Sequence, residues 1–310
     1  MSISIVTPHF NDLEGIKQTH QCLINQVSDQ WEWIVIDDFS DAIVKKSLKD
    51  YFEQQDCSKI KLIFKDTKTN GSVCRNIGVD YATSKNLVFL DSDDIVSEDF
   101  VRNRLIDVAD FAVFKNSNVL DENGNNKAAA NVSSHFLDYF LQAKFIWPIT
   151  AILWNKSFLI KIGKFNPDLK RLQDIELSIR ALFLGTNYQV IDNKVDFFYC
   201  VAPIDIKKRP VKLICESVNY LITNIHTNYT LDLHQQSLIK GYYFVCVRYL
   251  YRSKRKEDIP FVENSLKLFY AKKYISYYEY LLGFVFLKMF KLNLISDDLF
   301  IRLNRYFYKQ

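Results

Sequence analysis

Two carboxylates spaced two apart are the first residues of this chain that could do chemistry. Asp91-Ser92-Asp93 leaves an apolar run, Leu87-Val88-Phe89-Leu90, and is followed by Asp94. Carboxylates in that arrangement can converge on one hard divalent cation. Oxygen ligands suit Mg2+ or Mn2+, which also take phosphate oxygens. Such an ion neutralises the charge that builds on a diphosphate leaving group. The same residues could instead form a turn in which Asp94 or Ser92 caps the next helix. Two more polar clusters follow apolar runs: Thr7-Pro8-His9-Phe10-Asn11 and Asp37-Asp38. Each alone could be a helix cap. In order, at the ends of successive strands, they would line one edge of the same sheet.

The elements that must position these residues alternate in type. Ser4–Thr7 is a short apolar run, and Asn11-Asp12 caps a predicted helix reaching about Gln26. Trp33–Asp37 reads as a buried strand, followed by a helix from about Asp41 to Glu53. Lys61–Phe64 is a third strand, Asn70-Gly71 opens a helix to about Ala82, and Leu87–Leu90 is a fourth strand. This rhythm predicts an α/β fold, a parallel sheet with helices on both faces. Ligands of such sheets sit at the carboxyl ends of the strands. Further on, Asp110–Lys115, Thr150–Trp154 and Tyr188–Asp192 are expected strands, and Leu172–Leu184 an expected helix. Asp121–Asn126 is turn-rich and expected to be exposed. From Arg209 to Tyr308 helical periodicity dominates. We place a boundary at Lys207-Lys208-Arg209-Pro210, separating a catalytic domain, 1–206, from a basic, aromatic-rich helical region, 207–310.

Composition bounds the function. With 310 residues, 48% hydrophobic and 25% charged, the chain can bury a sizeable core and is not a disordered one. Eight Gly and six Pro exclude collagen-like or Gly-rich architecture. The net charge of +4 is too mild to indicate a nucleic acid partner. The charge is unevenly divided: from Asp205 onward there are 18 basic and 9 acidic residues, before it 22 and 27. Cys22, Cys57, Cys74, Cys200, Cys215 and Cys246 show no paired spacing, so reduced thiols in a cytoplasmic protein are expected. No signal peptide is expected, because Ser4-Ile5-Val6 leads straight into polar residues. The longest apolar run, Tyr280–Leu287, is far short of the roughly 20 residues a spanning helix needs.

At this point the chain resembles the family 2 glycosyltransferases, nucleotide-sugar-dependent inverting enzymes with the GT-A fold. The resemblance covers about residues 3–200 and rests on five motifs in order. A Pro-x-Tyr-Asn-like turn reads Thr7-Pro8-His9-Phe10-Asn11. The Gln…Trp-Glu-x-Ile-Val-Val-Asp-Asp-Gly-Ser pattern reads Gln26, then Trp31-Glu32-Trp33 to Asp37-Asp38-Phe39-Ser40. The Gly-x-x-x-Ala-Arg-Asn-x-Gly helix start reads Gly71 to Cys74-Arg75-Asn76 and Gly78. Leu90–Asp94 matches Leu-Asp-Ser-Asp-Asp outright. Ile162-Gly163-Lys164-Phe165-Asn166, ahead of Gln173-Asp174, is similar to the family's acceptor-side segment.

The resemblance implies a GT-A fold, a Rossmann-like, mixed and mostly parallel sheet flanked by helices, with a helical C-terminal appendage. It implies a nucleotide-sugar donor, a UDP-sugar first, and a divalent cation, Mn2+ or Mg2+. It also assigns roles. Asp38 accepts the N3–H of a pyrimidine base, Phe10 stacks on that base, and Thr7 and Pro8 shape its slot. Arg75 brackets ribose or diphosphate, unless it pairs with Asp37 or Asp91. Asp91 and Ser92 touch the nucleotide, Asp91 also serves the metal, and Asp93 ligates it. Asp174 is the general base, with Glu176 its competitor; the other reading of Asp174 is a helix cap. The chain departs from the pattern at Phe39 (usually Gly), Cys74 (usually Ala) and Gln173 (usually Glu). The family's later metal-binding His is missing near Phe197–Cys200. His226 or His234 would have to fold back, or water and donor complete the shell. Lys207, Lys208 and Arg209 could close over the diphosphate or form a solvated boundary.

The C-terminal third mixes aromatics with Lys and Arg, as in Arg248–Arg252 and Arg302–Lys309. Basic amphipathic helices can lie on an anionic bilayer. That suits a glycan acceptor carried on a polyprenyl lipid and a peripheral location at the inner face of the cytoplasmic membrane. A helical cap or homodimer contact with a basic outer face is the other reading. The competing functions are a glycan- or nucleotide-binding module without catalysis, and a sugar-1-phosphate nucleotidyltransferase. The latter needs a Gly-rich phosphate loop that Thr7–Asn11 lacks.

Overall fold

Strands that read as unbroken apolar runs must be covered on both faces. In the computed structural model of the chain they form the middle of one sheet. The structure describes residues 1–55, 58–120, 126–128 (backbone), 134–200 and 210–309. Cys57, Asp121 to Asn125 of the expected turn-rich loop, and the Lys207-Lys208-Arg209 run with the expected 206/207 boundary therefore lie outside the described residues.

In chain order the first elements are β1 (Ile3–His9), α1 (Leu13–Ile24), β2 (Trp31–Asp37), α2 (Ala42–Glu53), β3 (Ile60–Phe64), α3 (Gly71–Tyr81) and β4 (Asn86–Phe89). Then come β5 (Ile95–Val96), α4 (Phe100–Asn103), β6 (Phe111–Phe114), β7 (Asn118–Leu120), β8 (Asn126–Ala128), α5 (Phe136–Leu141), β9 (Ile152–Asn155) and α6 (Lys156–Lys161). They are followed by α7 (Gln173–Leu184), β10 (Gln189–Ile191) and β11 (Phe197–Cys200). The helical end comprises α8 (Val211–Asn228), α9 (Leu233–Leu238), α10 (Lys240–Ser253), α11 (Ile259–Ala271), α12 (Tyr277–Lys291) and α13 (Asp297–Tyr308).

The seven-stranded sheet has the order β10-β6-β9-β4-β1-β2-β3. β1 pairs in parallel with β2 and β4, and β2 with β3; β9 runs antiparallel between β4 and β6. Ile5, Val6, Trp33 to Ile36 and Leu87 to Leu90 are fully buried. α3 can lie close on β1 because residue 78 is Gly: a Cβ there would stand 2.2 Å from Val6 Cγ1. Two expectations change. The predicted strand Thr150–Trp154 begins as a 3-10 turn over Ile149–Ala151, and only Ile152–Asn155 is strand. A second sheet, β5-β11-β7-β8, was not expected; strands of two to four residues carry too little alternation to read.

The chain divides into two compact units interleaved in sequence. The first takes its residues from Met1–Ser133, Ile146–Asp168 and Arg180–Pro203, and holds both sheets. The second takes them from Ser134–Phe145, Leu169–Ile179 and Ile204–Gln310. In the second unit α10 is the buried centre, with Tyr242, Tyr243, Cys246 and Val247 inaccessible. The Tyr242 hydroxyl donates to Phe140 O at 2.7 Å. Among the described residues no helix is long and apolar enough to cross a membrane.

One ion pair anchors the small sheet. Arg104 is fully buried between the rings of Phe100 and Phe114, at 3.5 and 4.3 Å. Its guanidinium donates to both Asp196 oxygens, at 2.9 and 3.3 Å, just before β11. Removing one partner of a buried pair leaves an uncompensated charge. Asp196→Ala is expected to cost about 3–5 kcal/mol, read as a lowered midpoint in urea unfolding.

Candidate active site

Three strands end together at the first unit's sheet edge, and backbone bonds carry their register into the loops. Asp38 N donates to His9 O at 2.8 Å, Lys65 N to Asp37 O at 3.0 Å, and Leu90 N to Val6 O at 3.0 Å. Side chains then lock the turns. Asn11 N donates to Ser40 Oγ (2.8 Å), while Asn11 and Asp41 exchange bonds at 2.9 and 3.0 Å. Asn11 and Phe39 adopt left-handed backbone, with φ of 53° and 66°. That is why glycine is favoured at position 39; a side chain there costs about 1–2 kcal/mol.

His9 and Asp37 belong to the scaffold. His9 Nδ1 lies 2.8 Å from Asp37 Oδ1, and its Nε2 accepts from Asp12 N at 3.1 Å. This assigns the neutral ring with its proton on Nδ1. Asp37 also accepts from Ser40 N, and although burial opposes ionisation, the bonds from His9 and Ser40 keep its carboxyl below the usual range. Thr7 is likewise fully buried, and its Oγ1 accepts from Trp33 Nε1 at 2.9 Å. Its side chain therefore faces the core, and Pro8, half-buried, is the part of this pair nearer the surface.

Asp38 sits in a cradle that the sequence reading missed. Its Oδ1 accepts from Lys65 Nζ (2.7 Å), Thr69 N (2.9 Å) and Thr69 Oγ1 (2.8 Å). Its Oδ2 lies 3.0 Å from Lys68 Nζ. Burial would raise this carboxyl, but Lys65, Thr69 and Lys68 outweigh it and bring it to about 2. Lys68 Nζ also stands 3.1 Å from the ring centre of Phe10, which is 46% exposed. One ammonium thus touches both residues expected to hold a base. The signal was present in Lys65-Asp66-Thr67-Lys68-Thr69, the loop leaving β3 beside Asp38. Cys74, beneath the cradle, has its thiol pushed up to about 12, first by burial and then by the charge of Asp38, so it is inert.

Arg75 pairs with Asp91, Nη2 to Oδ1 at 2.5 Å, the alternative the sequence reading left open. Its guanidinium lies 5.4 Å from the ring centre of the buried Phe165. Phe165 is held by Asn76, whose Nδ2 donates to Phe165 O (2.8 Å) and whose Oδ1 accepts from Phe165 N (2.9 Å). The Arg-Asn and Gly-x-Phe motifs are therefore one construction: Asn76 fixes Phe165, and Phe165 supports Arg75.

The acidic motif splits by role. Ser92 Oγ donates to Asp12 Oδ2 (2.8 Å), while Asp12 Oδ1 caps α1 through Gly15 N. Asp94 is buried and accepts from Thr150 Oγ1 (3.3 Å) and Cys200 N (3.1 Å). Asp94 therefore ties the end of β4 to the 3-10 turn before β9 and to β11 rather than capping a helix. Asp91 is half-exposed and Asp93 exposed. Partial desolvation, then the charge of Asp91 and of Asp12, raises the Asp93 carboxyl. Among the described residues no group of three His, Cys, Asp or Glu converges. Asp91 and Asp93 are oxygen donors of the kind a hard divalent cation takes, and such an ion would need water or a ligand's oxygens to complete its shell.

Asp174 and Glu176 stand in the first turn of α7, in the second unit. Asp174 is half-buried and Glu176 is 8% exposed. Leu172, at φ 62°, immediately precedes the helix, so Asp174 is inside the first turn rather than its cap. His226 packs edge-on to Tyr274, and His234 Nε2 lies 3.6 Å from Asp138 Oδ2, both within the second unit.

A carboxyl depressed by folding stabilises the fold above its unfolded pKa and loses that contribution as pH falls through the folded one. For Asp38 the window runs from about 4 down to about 2. Asp38→Asn is expected to cost about 2 kcal/mol at pH 7. The gap from wild type should close across that window in urea unfolding run as a pH series.

Comparison with known proteins gives consistent matches. The family described as Glycosyl transferase family 2 matches residues 4–163. The amylovoran biosynthesis glycosyltransferase AmsB of Erwinia amylovora is 28% identical over 214 residues, 65% of this chain and 71% of that protein. The poly(ribitol-phosphate) β-N-acetylglucosaminyltransferase TarP of Staphylococcus aureus is 25% identical over 276 residues, 83% and 73% of the two chains. The crystal structure of S. aureus TarS 1–349 in complex with UDP-GlcNAc superposes with a TM-score of 0.65 at 15% identity, over 99% of this chain and 91% of that one. That likeness shows the GT-A-like fold, with its mostly parallel sheet and additional C-terminal helices. With the family match spanning more than half of its length, this chain belongs to the family 2 glycosyltransferases.

Proposed function

We propose that this glycosyltransferase moves a sugar, with inversion, from a UDP-sugar to a hydroxyl of a glycan or polyprenyl-linked acceptor in bacterial surface polysaccharide synthesis. The observation that carries the donor half is the convergence of Phe10 and Asp38 on one point, now held by Lys68. A planar base with an edge N–H can meet the same ring face and the same carboxylate there. Lys68 must swing aside, and its charge then suits the diphosphate. The UDP-GlcNAc in the TarS structure supports the choice of nucleotide; TarP and AmsB, by their names, support the polymer class.

In this reading residues 1–206 carry the donor chemistry and 207–310 form the acceptor-side helical region. Pro8 and the backbone of Thr7 border the base, and Arg75, released from Asp91, turns to ribose or diphosphate. Asp91 and Asp93 hold the divalent cation, with Ser92 keeping the loop on Asp12. Bound there, Mn2+ or Mg2+ supplies positive charge against a diphosphate leaving group. Asp174 takes the proton of the acceptor hydroxyl as that oxygen bonds the anomeric carbon. The bond from that carbon to the diphosphate breaks on the opposite side, and the nucleoside diphosphate leaves with the electron pair. Gln173, in place of an acid, favours a second reading in which the chain binds a nucleotide without transfer; turnover separates the two.

Calorimetric titration of UDP with Mn2+, and again after EDTA, tests the donor site, with GDP as the control. Metal-dependent, UDP-selective binding is expected, and Asp93→Ala should abolish its metal-dependent part. Preference for GDP, or no binding of either, refutes the base assignment. Asp174→Asn should retain UDP binding yet lower transfer by about 10²–10⁴-fold. Full transfer activity in that variant removes Asp174 as the base.

A further inference from the structure

Helix α12 is apolar on both sides. Its inner face, Gly283, Phe286, Leu287 and Phe290, is buried in the second unit. Its outer face presents Tyr277, Tyr278, Leu281, Phe284 and Val285, with Leu292 just past its end, each 38–66% exposed. At about 100° per residue these six fall within an arc of about 120°. Lys288 and Lys291, both exposed, stand at the C-terminal end of the same face. A contiguous apolar stripe of this kind marks an interaction surface rather than scattered exposure.

The charges say what covers it. No acidic residue lies on this face. Glu279 points to the other side, where it accepts from Ser276 N at 2.8 Å and meets Lys240 Nζ at 3.0 Å. Asp297 and Asp298 open α13, and Asp298 accepts from the Tyr251 hydroxyl at 3.1 Å. A second copy of this face would bring apolar residues and lysines with no carboxylate to meet them. An anionic bilayer offers apolar depth and negative headgroups together.

We propose that the outer face of α12 is the surface by which the protein docks on anionic membrane lipid. Leu281, Phe284, Val285 and Leu292 enter the acyl boundary. Tyr277 and Tyr278 sit at headgroup level with their hydroxyls in water. Lys288 and Lys291 reach lipid phosphates while their stems cover apolar surface. The inference deepens the membrane partner named above and rests on that reading of the acceptor.

Cosedimentation of the full chain with phosphatidylglycerol-containing vesicles, against phosphatidylcholine vesicles, tests it. Wild type should pellet with the anionic vesicles. Lys288→Gln and Lys291→Gln should each weaken binding about fivefold. The pair Leu281→Glu and Val285→Glu should abolish it, with an unchanged circular dichroism melt and unchanged UDP titration. Wild type remaining in the supernatant, or binding indifferent to these substitutions, overturns the proposal. So does light scattering that shows a dimer dissociated by the Glu pair, which would make the face a self-association surface. Loss of vesicle binding with intact UDP binding removes the docking surface alone; loss of UDP binding in wild type removes the donor reading instead.

Discussion

Like-charge repulsion at one end of a sheet is the constraint on which this site depends. Asp37 ends β2, Asp12, Asp38, Asp91, Asp93 and Asp94 follow strands of the first unit, and carboxylates so crowded cannot all remain ionised without partners. Each is answered differently. Asp37 takes His9, Asp38 takes two lysines and Thr69, Asp91 takes Arg75, Asp12 caps a helix, and Asp94 is buried against Thr150 and a backbone amide. Of these six, Asp93 is the exposed carboxylate with no side-chain hydrogen-bond partner among the described residues, and desolvation, then the charge of Asp91, raises it. The fold thus concentrates unanswered negative charge at one exposed atom pair, where a divalent cation does most to relieve it.

The contrast with the other end of the same sheet is instructive. Glu32, at the start of β2, also escapes a burial penalty, and bonds from Ser4, Thr83 and Lys61 bring its carboxyl to about 2. Two hydroxyls and a backbone amide hold that carboxylate beside its lysine. At the carboxyl end Asp38 and Asp91 are held mainly by cations, Lys65, Lys68 and Arg75. A depressed carboxyl alone does not mark a site.

Family motifs that look separate in sequence act together through packing. The Asn76 side-chain amide makes two hydrogen bonds to the backbone of Phe165, 89 residues away, and the ring so fixed supports Arg75. Phe39, a departure from the glycine pattern, keeps the left-handed turn that glycine would favour, with the Lys45 ammonium 4.4 Å from its ring centre. The turn leads from β2 into α2, and the left-handed backbone persists at position 39 despite the strain a side chain adds there.

The amino-acid sequence by itself determined the βα alternation, the order of the acidic clusters and the family, because these depend on local periodicity, caps and short motifs. It located Asp38, Arg75, Asp91 and Asp93 on one sheet edge, because parallel strands joined by helices must end together. Tertiary structure alone decided which way those side chains turn. Thr7 faces Trp33 and not solvent, Asp94 turns to Thr150 and not to a helix end, and Lys68 lies between Phe10 and Asp38. It also decided the second sheet and the bare face of α12. These depend on contacts between residues distant in sequence, which no local pattern encodes.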